Sequence, residues 1–258
     1  MRKTRPTRGR TGARTPHRGV PGGSRVPWSI VGATFVIVLL IGLIGFNLTP
    51  RIIDRNQAQR FAPTAEDPDP AQGIEGVVEI EYAAARHVAA TQRVAYDKSP
   101  PFGGPHDSTW ATCTGIVYPV ALRNENAVHA LEHGAVWVTY DPNRVSAEDI
   151  DALSSRVEGK SYMFMSPYPD LRVPITLQSW GHTLELDSSA DPRITQFIAA
   201  LRQNPSTHPE NGASCSTISG AFDPDNPPPF DATEPGPDAI PLDDPVPDPA
   251  PPIDGGAR

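Results

Sequence analysis

Cysteine is scarce in this chain of 258 residues. There are two, Cys113 and Cys215, and neither belongs to a C-x-x-C pair. That absence argues against a metal site built from thiolates. Outside a bacterial membrane thiols tend to be oxidised, so we expect one disulfide that closes a loop of about 100 residues. Two isolated thiols, or one cysteine acting as a metal ligand, are the alternatives.

Charge is absent from residues 28 to 48, which read WSIVGATFVIVLLIGLIGFNL. This run is long enough to cross a hydrocarbon core of roughly 30 Å as a helix. It holds no acid or base that would indicate transport and no G-x-x-x-G motif, so it predicts a plain membrane anchor. A cleaved signal peptide is the alternative, although the run exceeds the usual apolar region of about 7 to 15 residues and no A-x-A-like site follows.

Acidic residues are absent from the first 25 positions, which carry Arg2, Lys3, Arg5, Arg8, Arg10, Arg14, Arg18 and Arg25. Residues 1 to 27 are predicted to be a disordered basic tail. Since the basic residues directly precede the apolar run, they indicate a cytoplasmic N-terminus and an extracytoplasmic remainder rather than a nucleic-acid partner.

Large apolar residues are scarce from position 221 to 258, where prolines and aspartates dominate. Such a segment cannot bury enough surface to offset its ordering entropy, so we expect a disordered tail. One interpretation is that this tail binds a partner in the envelope or cell wall. Residues 49 to 72 are predicted to be a shorter linker of the same kind. Residues 73 to 220 remain as one folded domain.

Within that domain, buried-type strands and capped helices are mixed without a regular βαβ repeat. The pattern predicts an α+β domain with a mixed or antiparallel sheet and two to three helices. Strands are predicted over 76 to 81, 115 to 119, 135 to 140, 161 to 166, 175 to 180 and 182 to 186. Helices are predicted over 127 to 133 (capped by Asn124 or Asn126), 146 to 157 (Ser146 cap) and 192 to 203 (Asp191 cap). Residues 81 to 95 fit either a helix or an extended edge.

The stretch HALEH at 129 to 133 places His129, Glu132 and His133 on one helical face. H-x-x-E-H is also a zinc-protease pattern in which the glutamate activates water, so a metal-dependent hydrolase with Glu132 as general base is one hypothesis. Gly134 ends the helix directly after the motif, unlike in such proteases. The third ligand would be Glu185 or Glu210, and the sequence favours neither.

Six of the seven histidines fall inside the predicted domain, and they are His87, His106, His129, His133, His182 and His208. Imidazole suits zinc, copper, iron and nickel, so convergence of several would predict a transition-metal site. Met163 and Met165 favour copper, but M-x-M in a strand equally describes two core residues. For His182 or His208 alone, a hydrogen-bonded structural role is the simpler interpretation.

The domain resembles a family of uncharacterised bacterial proteins, domain of unknown function 3105. The similarity rests on His87 and Tyr96, then PPFGGPH (100 to 106), WATCTGIVY (110 to 118), AVHALEHGAVWVTY (127 to 140), SPYP (166 to 169) and SWG (179 to 181). It implies an anchored or secreted domain with His87, His106, His129, Glu132 and His133 in one pocket, and Cys113 and Cys215 as its cysteines. His182 stands where the family more often has arginine, so it is left out of the pocket.

The leading hypothesis is a single-pass membrane protein whose domain binds zinc or copper without catalysis. The metal ligands are predicted to be His87, His106, His129 and His133, with Glu132 orienting an imidazole from behind. A hydrolase and an envelope scaffold are the two alternatives.

Overall fold

The first element that the structure describes is a long helix. The computed structural model describes residues 27–217 and 219–243, so nearly all of the predicted basic tail and the last part of the acidic tail lie outside it. Helix α1 spans Trp28–Arg60. Among the described residues, its window Trp28–Phe46, with mean hydropathy 2.6, is the one helical stretch long and apolar enough to cross a membrane. It fits a membrane anchor or a signal sequence.

Residues 49 to 72 are more ordered than the predicted linker. Helix α1 continues to Arg60, and a short 3₁₀ helix spans Pro70–Gly73. Asp69 caps that turn by accepting a hydrogen bond from the Ala71 N–H at 3.3 Å. Pro70 and Ala71 are buried. The proline-rich composition predicts an extended segment, but the side chains of Pro70 and Ala71 are buried against the domain.

The main sheet has six strands and is mixed, which confirms the α+β prediction. The described residues form ten strands, which are β1 Val77–Glu79, β2 His87–Val88, β3 Val94–Ala95, β4 His106–Asp107, β5 Thr114–Val117, β6 Val136–Tyr140, β7 Met163–Pro167, β8 Ile175–Ser179, β9 His182–Leu186 and β10 Ile240–Pro241. The order in the large sheet is β1-β9-β8-β6-β7-β5. Strand β7 runs parallel to β5 and β6, whereas the other pairs are antiparallel.

Alternation along the central strand β6 divides the core in two. Val136 and Val138 face a cluster that includes helices α3 (Ala147–Val157) and α4 (Arg193–Leu201). Trp137 points the other way, where its indole N–H donates to Ser166 Oγ at 3.0 Å. That second face packs against helix α2 (Asn124–Glu132). Period-two alternation therefore places α2 across the sheet from the other two helices.

Two of the predicted helix starts need correction, and one is confirmed. Ser146 caps α3 by accepting from the Asp149 N–H at 3.2 Å, as predicted. Helix α2 instead has Arg123 at its N-cap, without a side-chain cap bond. Helix α4 has Pro192 at its N-cap, and Asp191 accepts from the Arg193 N–H at 2.8 Å. Packing rather than capping fixes the start of α2, because eight of its residues are buried.

A disulfide and two small strand pairs tie the loops around α2. Cys113 and Cys215 form the predicted bridge, with a sequence separation of 102. Strand β2 pairs with β4 in parallel, and β3 pairs with β10. The region predicted to be either helix or extended edge, 81 to 95, therefore contains two short strands.

Residues 228–242, here called the C-terminal strap, lie against the domain, whereas the composition of this region predicts disorder. Asp231 pairs with Arg93 at 3.0 Å, and the Phe230 ring lies 5.0 Å from that of Tyr168. The Arg86 guanidinium donates to the carbonyl oxygen of Leu242. Backbone pairing and a few anchor side chains hold the strap without a core of its own.

Candidate metal centre

The last turn of α2 supplies three polar side chains. His129 and Glu132 lie within the helix, and His133 is its C-cap residue. Gly134 has φ +89°, and a Cβ there would lie 2.6 Å from the His208 ring. Only glycine meets both conditions without strain, so the helix ends where the sequence predicts. The side chains of His129, Glu132 and His133 therefore lie at the end of α2, and the helix does not continue beyond them.

Strands β2 and β4 bring two more histidines to the same place. His87 and His106 are paired residues of the parallel ladder, so their side chains lie on one face. Their ring centroids are 5.0 Å apart. His106 is fully buried, whereas His87 is exposed at the rim. The ladder therefore places one histidine inside the domain and one at its surface.

These elements form one compact group of possible ligand atoms. His87, His106, His129 and Glu132, here called the four-residue set, each offer one such atom, and all four atoms lie within 4.8 Å of one another. The His106 and His129 ring centroids are 4.7 Å apart. Neighbouring ligands of a tetrahedral zinc ion are separated by about 3.3 Å, given Zn–N distances of about 2.0–2.1 Å. Small side-chain movements would close the group around one ion.

The two buried histidines of the set present the same nitrogen to it. Nδ1 of His106 donates to the Gly104 carbonyl oxygen at 2.8 Å, and Nδ1 of His129 donates to the Asp107 carbonyl oxygen at 2.6 Å. A carbonyl oxygen only accepts, so in the neutral rings Nδ1 carries the proton and Nε2 carries the lone pair. This is the arrangement in which backbone groups orient metal-binding imidazoles.

Glu132 has one anchored oxygen and one that faces a histidine. Its Oε1 accepts from the N–H of Ala85 at 2.6 Å, and Ala85 adopts φ +55°. Its Oε2 lies 2.9 Å from Nε2 of His106. Both of the latter atoms are buried and lack an aligned hydrogen-bond partner. Two acceptors that face each other in a dry site require a cation, either a proton or a metal ion, between them.

The electrostatics keep the ligands in the forms that metal ions bind. Burial, together with the neighbouring His106 and His133, lowers the pKa of His129 to about 3. Burial acts to raise the pKa of Glu132, but His106 and the Ala85 N–H outweigh it, so the net shift is downward. At neutral pH the site therefore offers a neutral imidazole at His129 and a carboxylate at Glu132.

His133 was predicted to be a metal ligand in the pocket of the other histidines, and its ring faces Glu210. Its Nδ1 donates to the Ser214 carbonyl oxygen at 2.8 Å, and its Nε2 lies 3.0 Å from Oε2 of Glu210. His129, His133 and Glu210, here called the three-residue set, also offer ligand atoms within 4.8 Å of one another. Burial lowers the pKa of His133, against the opposing effects of Ser214 and Glu210. His129 belongs to both sets.

Glu132 was predicted to orient a histidine from behind, and its carboxylate lies among the possible ligand atoms of the four-residue set. The reason is the tertiary position of Ala85 and His106, which draws the side chain to that side of the helix end. Sequence spacing alone could not distinguish Glu132 from His133 in this respect.

The remaining candidates lie elsewhere. Met163 and Met165 are fully buried in the core cluster that faces α3 and α4, so the thioethers are core residues. Nε2 of His182 lies 3.2 Å from Asp69, with Glu79 nearby, in a separate group at the β1–β9 edge. Burial lowers the pKa of His208, whose Nδ1 donates to the Glu132 carbonyl oxygen at 3.2 Å.

The sequence offered Glu210 as one of two possible third ligands beside His129 and His133 without favouring it, and it did not predict Trp110 at the site. The Trp110 ring packs on both His129 and His133, with centroid distances of 5.4 and 4.7 Å. The predicted disulfide carried a usable signal, because it joins Cys113 to Cys215 and so brings the segments around 110 and 210 together. The remaining partners are backbone groups, which leave no sequence pattern: the N–H of Ala85 and the carbonyl oxygens of Gly104, Asp107 and Ser214.

Searches of curated proteins and of solved structures found no match to the chain. Residues 87–217, about half of the chain, match the family described as "Protein of unknown function (DUF3105)". The match includes every residue of the four-residue and three-residue sets, whereas Asp69 and Glu79 precede it. The chain is therefore a member of the DUF3105 family, as the sequence resemblance had indicated.

Proposed function

We propose that the domain binds one zinc or copper ion through His87, His106, His129 and Glu132, and that it holds the ion without catalysis. The observation that carries the proposal is the buried contact between Nε2 of His106 and Oε2 of Glu132, 2.9 Å apart and without aligned hydrogen-bond partners. A divalent ion placed against these atoms would use both lone pairs. Three imidazoles and one carboxylate favour a transition metal over calcium or magnesium.

The same geometry supports storage, sensing or transfer of the ion rather than hydrolysis. A zinc hydrolase uses three protein ligands and keeps a position open for water, whereas the four-residue set supplies four. Glu132, the residue that would activate the water, is fully buried, and its two oxygens face Ala85 and His106. We therefore prefer the binding function to the metal-dependent hydrolase.

The location of the domain supports metal handling outside the cytoplasm. The apolar helix α1 and the Cys113–Cys215 disulfide are consistent with a secreted or membrane-anchored extracytoplasmic domain. Exposed His87 forms the rim of the set. An ion would reach the buried ligands past this side chain, and a partner or chelator would remove it from the same side.

The test is a zinc and copper titration of the full chain without a histidine tag, with bound metal measured by mass spectrometry. We expect one ion per chain. Glu132→Gln should weaken binding at least about 100-fold, because it removes a ligand rather than an orienting partner. A hydrolase would behave differently, since Glu132→Gln would retain the metal and lose activity.

Glu125→Gln is the matched control, because Glu125 is a buried glutamate of the same helix that binds the Val94 N–H and Arg123 instead. It should bind metal like the wild-type chain. No uptake of zinc or copper by the folded wild-type chain would contradict the proposal.

A further inference from the structure

The H-x-x-E-H stretch divides its residues between two sets that share one ligand. Glu132 joins the four-residue set, His133 joins Glu210 in the three-residue set, and His129 belongs to both. The His129 and His133 ring centroids are 4.6 Å apart. An ion at either set would therefore lie within a few ångströms of the other.

The three-residue set also places an imidazole against a carboxylate, although Glu210 is partly exposed whereas Glu132 is buried. Because Nδ1 of His133 donates to the Ser214 carbonyl, a neutral ring turns the lone pair of Nε2 toward the Glu210 carboxylate, 3.0 Å away. Again two acceptors face each other, and a cation between them would use both lone pairs. His129 adds a third ligand atom, and Trp110 closes one side of both imidazoles.

His129 limits the two sets to one bound ion per chain. Its Nδ1 is committed to the Asp107 carbonyl at 2.6 Å, so the neutral ring has one lone pair to give, on Nε2. One lone pair binds one ion. The two sets therefore cannot both be completed in the same molecule, although each is complete on its own.

The two sets differ in exposure. The side chain of Glu210 is 35% exposed, whereas that of Glu132 is fully buried. A carboxylate near solvent loses less hydration energy when it meets a hydrated cation, and it attracts the ion from further away. The three-residue set is thus the more accessible and the weaker of the two, with three protein ligands instead of four.

From these contacts we propose that His129, His133 and Glu210 form a second position for the ion, mutually exclusive with the first, and that the ion moves between the two by exchanging ligands around His129. This inference rests on the proposed function and gives a role to His133, which the four-residue set does not use. The exchange is a ligand substitution, so no electron is transferred. Water completes the coordination of the ion at the three-residue set.

The test separates the positions with variants that disable the four-residue set. His87→Ala removes its exposed ligand and leaves the core intact, and His106→Ala removes a buried one. Zinc titrations of both full-length variants, monitored by calorimetry with circular dichroism as the check on folding, should show one ion bound about 10- to 1000-fold more weakly than in wild type. Adding Glu210→Gln to His87→Ala should abolish that residual binding.

A second arm measures kinetics in the otherwise wild-type chain. Glu210→Gln should keep one zinc per chain but slow its association in stopped-flow competition with a chromophoric chelator. Glu158→Gln, an exposed glutamate outside both sets, is the control and should associate at the wild-type rate.

Several outcomes would overturn the inference while leaving the proposed function intact. These are two zinc ions bound at once to the wild-type chain, or residual binding in His87→Ala that is unaffected by Glu210→Gln. An unchanged association rate in Glu210→Gln would also contradict it. If the folded wild-type chain binds no zinc, the proposed function fails together with the inference.

Discussion

Nε2 of His106 and Oε2 of Glu132 lie 2.9 Å apart, and neither atom is exposed to solvent. Each side chain is fixed on its other side by the backbone, His106 by the Gly104 carbonyl and Glu132 by the Ala85 N–H. The pair cannot rotate away from its contact without breaking a buried hydrogen bond, which costs about 1–3 kcal/mol. The fold thus maintains a site that a cation stabilises.

The metal-free domain should lose stability as pH falls below about 6.5. Burial lowers the pKa values of His129, His133 and His208, that of His129 to about 3. Between about pH 3 and pH 6.5, the folded and ordinary pKa values of His129, the unfolded chain binds more protons than the folded chain. The free energy of unfolding therefore decreases as pH decreases. The slope should be about 1.4 kcal/mol per pH unit for each proton taken up.

Urea unfolding of the full chain at a series of pH values from 7 to 5, with a chelator present, measures this slope. His129→Gln should reduce it by about one proton even if it also changes the stability at pH 7. A free energy of unfolding that is flat over this range would show that the histidines titrate equally in both states.

Loss of the disulfide should destabilise the domain more than loss of any one ion pair. The bridge closes a loop with a sequence separation of 102, for which chain-entropy arguments give about 4.7 kcal/mol and typical measured losses are about 2–5 kcal/mol. Cys113→Ser with Cys215→Ser should lower the free energy of unfolding by about 2–5 kcal/mol. A change below about 1 kcal/mol in chemical denaturation would contradict this role.

Gly134→Ala tests whether the end of α2 holds the ligands. The substitution places a Cβ at positive φ and 2.6 Å from the His208 ring, so we expect a loss of at least about 2 kcal/mol together with weaker metal binding. Gly212→Ala is the control, because Gly212 has φ +87° and no neighbour within 4 Å of an added Cβ. Equal losses in the two variants, measured by thermal unfolding, would show that the contact with His208 is irrelevant.

The C-terminal strap should detach locally when Arg93 is removed. Arg93 pairs with Asp231 at 3.0 Å and donates to the Thr233 carbonyl oxygen at 2.9 Å. These contacts are partly exposed, so Arg93→Ala should cost about 1 kcal/mol or less globally while increasing proteolytic cleavage within residues 228–242. Arg172→Ala, which breaks an exposed pair with Glu185, should leave the cleavage rate unchanged.

The parts of the fold that follow local patterns could be predicted from the sequence. Strand β9 has the predicted bounds, and β6 and α3 differ from prediction by one residue at their starts. Alternation and the Ser146 cap are local properties, so they survive in the folded chain. The order of the sheet and the ordering of the strap depend on long-range contacts, such as that between Arg93 and Asp231, which no local pattern encodes.

The candidate site was predictable in its histidines but not in how they are grouped. His87, His106 and His129 come together as predicted, since the similarity to the family already associated them. Glu132 lies in the four-residue set and His133 in the three-residue set, because the directions of side chains at a helix end are set by neighbouring loops. Glu210 lies 77 residues beyond His133 in sequence, and the H-x-x-E-H pattern could not distinguish it from Glu185 as a third ligand.

X-ray absorption at the zinc edge of the full, untagged chain loaded with one equivalent of zinc tests the metal site most directly. We expect four nitrogen or oxygen ligands at about 2.0–2.2 Å, outer-shell scattering from imidazole rings, and no sulfur at about 2.3 Å. In the double variant His129→Ala with Glu132→Gln, which removes the ligand common to the four-residue and three-residue sets, this spectrum should be lost. Zinc that is not retained by the wild-type chain, or an identical spectrum in the double variant, would contradict the account.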